Sequence, residues 1–131
     1  NDFNQAIKIN PKFTNAYFNR GNTRSILKDY QGAINDYNQA IKINSFFAKA
    51  YNNRGIARNN LNDYQGAIND YNQALKIDSR FAKAYYNRGI ARNNLKDYQG
   101  AINDFKQASK IHPRYASDDY KRRPRRSMGA R

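Results

Sequence analysis

The chain has 131 residues, a hydrophobic fraction of 39%, a mean hydropathy of −1.09 and a net charge of +14. That length suits one ordinary domain, but the aliphatic supply is too thin for one round core, and the apolar mass lies in 11 Tyr and 7 Phe, which fits a narrow, elongated core. The lack of Cys excludes a disulfide framework and a thiolate metal site, no run approaches the ~18 apolar residues of a membrane span, and no basic-then-apolar signal segment opens the chain.

In chain order, residues 1–13 read NDFNQAIKINPKF and match only the end of a longer phrase. Residues 14–47 give that phrase in full with some drift, residues 48–81 and 82–115 repeat it, and these last two are identical to each other at 26 of 34 places. A fixed period of 34 is the signature of a repeat array, in which each unit is one supersecondary element. The expected organisation is a partial repeat at 1–13 carrying a second helix only, full repeats at 14–47, 48–81 and 82–115, and a tail at 116–131. A native chain would hardly open inside a second helix, so an upstream part is expected.

Each phrase divides into two helices. In the second full repeat, Tyr51, Gly55, Arg58 and Leu61 fall on one stripe of the first. Asn62-Asp63 interrupts, and Asp63 is suited to cap the next helix because its carboxylate accepts orphan amides. Tyr64, Ala67, Ile68, Tyr71, Ala74, Leu75 and Ile77 then mark a second amphipathic helix. Asp29 and Asp97 are equivalent caps, and Pro11 and Pro113 are equivalent breaks. The short joints imply antiparallel neighbours.

Gly21, Gly55 and Gly89 stand inside first helices, where Gly costs about 1 kcal/mol against Ala. A cost repeated at the repeat period implies a close contact there, expected at Ala33, Ala67 and Ala101 of the second helices. Ala40, Ala74 and Ala108 leave room for the next repeat. Tyr30, Tyr64 and Tyr98, with Tyr37, Tyr71 and Phe105, are read as core. Arg20/Arg24, Arg54/Arg58 and Arg88/Arg92 recur together with Asp36, Asp70 and Asp104. They pair across each hairpin, or they form a basic ladder for an acidic ligand.

On Tyr51, Gly55, Ala67, Tyr71, Ala74 and their copies, residues 1–115 resemble the tetratricopeptide repeat family. Ser45 and Ser79 stand where that family often has Pro, and the Arg pairs replace an aliphatic and an aromatic residue. The resemblance implies an all-α fold, a right-handed superhelical solenoid of antiparallel helix-turn-helix repeats. It also implies a concave face lined by first helices: Asn15, Phe18, Asn19, Asn22, then Lys49, Asn52, Asn53, Ile56, then Lys83, Tyr86, Asn87, Ile90, with Ser25, Asn59 and Asn93 at its edge.

The column Asn19, Asn53 and Asn87 offers amide donors and acceptors to the main chain of an extended peptide. The same amides are also able to bond within the array. Asn22, Asn53 and Lys83 match places of the family's carboxylate clamp, whereas Phe18 and Asn87 do not. Phe18 and Tyr86 are candidate apolar anchors, and Lys49 and Lys83 would orient an acidic ligand. Asn52 completes the candidate peptide-binding set.

No catalytic constellation is legible. His112 is the only His and borders Pro113, no Ser has a His partner at its own repeat position, and all ten acids are Asp at caps or beside Arg. The expected role is therefore a non-enzymatic scaffold without cofactor or metal, holding a protein or peptide partner in its groove. Cytoplasmic residence is the expected location. Two alternatives stand beside this reading. The tail holds Lys121, Arg122, Arg123, Arg125, Arg126 and Arg131 with no acid among residues 121–131, which suits non-specific contact with nucleic acid or an anionic surface. The cut repeat ends suit self-association into a structural array.

Overall fold

The computed structural model describes residues 11–116, so the partial repeat before Pro11 and the basic tail lie outside the described residues. Among the described residues six helices follow one another: α1 (Pro11–Ile26), α2 (Tyr30–Ile43), α3 (Ala48–Asn60), α4 (Tyr64–Ile77), α5 (Ala82–Asn94) and α6 (Tyr98–Ile111). They form three antiparallel hairpins stacked side by side. First helices of successive hairpins approach one another, α1 on α3 and α3 on α5, more closely than second helices do. First helices are thus the inner layer of a curved array, and second helices are splayed on the outside.

The turn within each hairpin is built the same way. In α3 the amide of Asp63 donates to the carbonyl of Arg58 at 2.9 Å and that of Asn62 to Asn59 at 3.0 Å, which closes the helix end. Lys28, Asn62 and Lys96 occupy the left-handed position of this motif with φ 66. The next residue caps the following helix: Asp29, Asp63 and Asp97 accept from the amides of Gly32, Gly66 and Gly100 at 3.0 Å each. The three expected caps are in place.

Ala33, Ala67 and Ala101 are fully buried, as are Ala40, Ala74 and Ala108. Ala74 packs with Tyr51, Leu75 and Ala84, so it meets the next repeat as expected. The partner of the helical glycines differs from the expectation. A Cβ on Gly21, Gly55 or Gly89 would lie 2.7, 2.6 or 2.5 Å from the ring of Tyr37, Tyr71 or Phe105. The close approach is between backbone and aromatic face, because a ring two turns into the second helix reaches farther than an alanine methyl. Leu61 leaves the predicted stripe: as the C-cap of α3 it stands 47% exposed. Pro11 opens α1, at a position where its missing N–H costs nothing; what precedes it lies outside the described residues.

The arginine–aspartate pairs hold each hairpin closed. Arg54 grips buried Asp70 with two bonds, Nε to Oδ2 at 3.0 Å and Nη2 to Oδ1 at 2.7 Å, and Arg58 adds a third at 3.0 Å. Arg20 and Arg24 do the same to Asp36, and Arg88 and Arg92 to Asp104. Arg54 and Arg88 also donate at 2.8 Å to Asn38 and Asn72 of the preceding repeat. The pairing reading therefore holds, and these guanidinium groups are engaged within the array rather than forming an open ladder.

Candidate binding groove

The inner layer carries two hollows in series. The first, about 230 Å³, lies between α1 and α3 and is lined by Asn22, Ser25, Ile26, Tyr37, Asn53 and Ile56. The second, about 520 Å³, lies between α3, α5 and the turn after α6, and is lined by Ile56, Lys83, Tyr86, Asn87, Arg114 and Tyr115. Ile56 borders both, so they form one groove with an apolar saddle. The first hollow is lined by no charged group; the second carries two cations and no acid.

A side-chain chain of hydrogen bonds runs beneath the groove. The Tyr37 hydroxyl donates to Asn22 Oδ1 at 2.6 Å, and Asn53 Nδ2 donates to the same oxygen at 2.9 Å. Asn52 Nδ2 donates to Asn53 Oδ1 at 3.2 Å, and Asn87 Nδ2 donates to Asn52 Oδ1 at 3.1 Å. The chain ties three repeats together. Burial pushes the Tyr37 hydroxyl up to about 12; hydrogen bonding from Asn53 opposes this, and the nearby Asp36 charge adds to it. Because Asn22 accepts twice through its oxygen, its amide hydrogens are left to point elsewhere as donors.

The predicted residues divide by position. Asn22, Asn53, Lys83, Tyr86 and Asn87 line the hollows. Asn52 is 1% exposed and serves as the link between Asn53 and Asn87. Phe18 is half-buried against Phe47, with ring centroids 4.7 Å apart, and against Tyr37 at 6.0 Å. Asn19, Asn15 and Lys49 are exposed on first helices outside the two hollows.

Residues 14–47 and 82–115 match the tetratricopeptide repeat pattern, and residues 58–96 match a second description of the same TPR repeat. The chain belongs to the tetratricopeptide repeat family. This tetratricopeptide array superposes on the TPR domain of Arabidopsis OM64 with a TM-score of 0.82 at 34% identity, covering 86% of this chain and 94% of that one. It also superposes on the second TPR domain of human RPAP3, solved in complex with the HSP70 peptide SGPTIEEVD, with a TM-score of 0.78 at 27% identity over 84% and 94% of the two chains. The TPR2B domain of yeast Sti1, solved as a complex with pHsp70, gives 0.75 at 26% identity over 76% and 80%. No curated protein sequence matches the chain.

Four groove residues of this tetratricopeptide array were not expected there from the sequence: Ile26, Arg114, Tyr115 and Tyr37, the last read as core. Tyr37 belongs to a second helix, yet its hydroxyl reaches through to the inner face. Arg114 and Tyr115 follow α6 and stand where Phe46-Phe47 and Arg80-Phe81 precede a first helix. That register was the available signal, since Tyr115 is buried like a residue of a further repeat. His112 is the C-cap of α6, and among the described residues no three His, Cys, Asp or Glu side chains gather around a metal-sized space.

Proposed function

We propose that the chain is a protein-interaction scaffold that holds an extended, acidic segment of a partner protein in the groove over α1, α3 and α5. The observation that carries this reading is the pair of hollows joined at Ile56, uncharged at one end and bearing Lys83 and Arg114 at the other. A carboxylate placed over Lys83 and Arg114 meets opposite charge, while the Tyr86 and Tyr115 rings cover the apolar part of the adjoining side chain. Asn22, Asn53 and Asn87 keep amide groups on the groove wall for the main chain of the ligand, and Asn19 would extend that column outward. Phe18 and Asn52 act from beneath, fixing the wall, and Lys49 adds positive charge at the approach. The second TPR domain of human RPAP3, solved with the peptide SGPTIEEVD, which ends in an acidic stretch, supports the same class of ligand.

The test is fluorescence anisotropy with a labelled SRMEEVD peptide, the sequence bound by the first TPR of Spaghetti. Saturable binding that weakens with salt and is lost in Lys83→Glu, with helicity retained, is the expected result. Binding unchanged in Lys83→Glu and in Tyr86→Ala would place the ligand elsewhere.

A further inference from the structure

Antiparallel hairpins send their helix ends to two edges of the array. One edge holds the turns within hairpins, where Lys28 and Lys96 are balanced by Asp29, Asp63 and Asp97. The other holds the joints between hairpins. Lys42, Lys76 and Lys110 end α2, α4 and α6 there, Lys49 and Lys83 open α3 and α5, and Arg80 lies in the joint between α4 and α5. Among the described residues of these joints the acid is Asp78. None of the six cations is in an ion pair with a described acid.

Fold stability accounts for half of this charge. A lysine in the last turn of a helix complements the helix dipole, but a lysine in the first turn opposes it. Lys49 and Lys83 are in first turns, and α3 and α5 have no acid there and no side-chain cap. The same edge carries Phe46, 77% exposed although its counterparts in the next two repeats are Arg80 and Arg114. The backbone at this place thus has no need of an aromatic ring. Phe46 lines a hollow of about 450 Å³ with Ser45, Gln73, Lys76 and Ile77.

We propose that this edge, which meets the concave groove at Lys83, carries at Phe46 a second contact surface for an acidic protein segment that seats one apolar side chain against Phe46 and Ile77 and lays a carboxylate on Lys76. Charge complementarity selects an anionic partner, and the apolar floor selects a polypeptide over a phosphodiester chain. The cations are unneutralised, so association is steered by charge and held by the apolar contact.

The probe is a blocked pentapeptide, two glutamates, a leucine and two glutamates, titrated into the full chain and followed by amide NMR shifts. The expected shifts centre on Ser45, Phe46, Lys76 and Ile77, and Phe46→Arg and Lys76→Glu each weaken binding about fivefold or more. Phe46→Arg keeps the fold, since arginine already occupies the equivalent places, and circular dichroism checks this. Shifts confined to Ile56, Tyr86 and Asn87 would overturn the proposal while leaving the groove reading intact. Equal affinity for Phe46→Arg, or tighter binding of a ten-nucleotide dT strand at the same residues, would also overturn it.

Discussion

Asp70→Asn tests what closes the hairpins. The Asp70 side chain is 3% exposed and accepts three hydrogen bonds, two from Arg54 and one from Arg58, whose side chains are 15% and 28% exposed. Asparagine keeps one acceptor but turns an amide donor toward a guanidinium and removes the countercharge. Breaking a buried pair by removing one partner costs about 3–5 kcal/mol, and the residual exposure of both arginines puts this case near about 3 kcal/mol. The corresponding change at Asp36 leaves Arg20 and Arg24, which are 56% and 37% exposed, so water compensates more and the cost falls to about 1–2 kcal/mol. Asp104 should behave like Asp70, since Arg88 and Arg92 are 17% and 27% exposed. Equilibrium urea unfolding followed by circular dichroism reads the three costs. On the scale of a 100-residue domain, about 3 kcal/mol lowers Tm by more than about 10 °C. Equal costs at the three positions, or a cost under about 1 kcal/mol at Asp70, would refute the burial argument.

Three further outcomes follow from the packing. Gly55→Ala gains about 1 kcal/mol of helix propensity but places a methyl 2.6 Å from the Tyr71 ring, so a net loss of about 1–2 kcal/mol is expected in thermal melts; a gain would show that the ring yields. Lys96→Gly should stabilise by about 0.5–1 kcal/mol, because φ 66 is strained for lysine and easy for glycine, and no change in urea midpoint would remove that account. The Tyr37 hydroxyl has a raised folded pKa, so its stabilisation is complete below the ordinary tyrosine value near 10 and is lost as pH rises toward about 12. Stability should therefore fall over that window, and fall less steeply in Tyr37→Phe, a ring already present at the equivalent Phe105; identical alkaline profiles would contradict this.

The fold was legible because its signals are local and repeated. Asp63 caps, the Asn62 joint and the spacing of Ala67, Tyr71 and Ala74 each depend on residues a few places apart. The identity of the glycine contact was not legible, since Gly55 and Tyr71 meet across a hairpin through ring orientation. The groove was half visible. Asn22, Asn53, Lys83, Tyr86 and Asn87 were implied by the family resemblance, whereas the bond from Asn87 to Asn52 depends on how far one repeat rotates on the next. That rotation also determines which amides are tied and which face outward. Arg114 escaped notice because it lies beyond the last hairpin, in a place that gains meaning only when Tyr115 packs on Tyr86 with ring centroids 5.1 Å apart.

The most direct test of the groove is photo-crosslinking from Ile56, the residue shared by both hollows. A photoreactive phenylalanine at Ile56 should capture the labelled SRMEEVD peptide in competition with unlabelled peptide, and the same group at exposed Asn69 on the outer helix α4 should not. Capture from Asn69 with none from Ile56 would contradict a concave binding site.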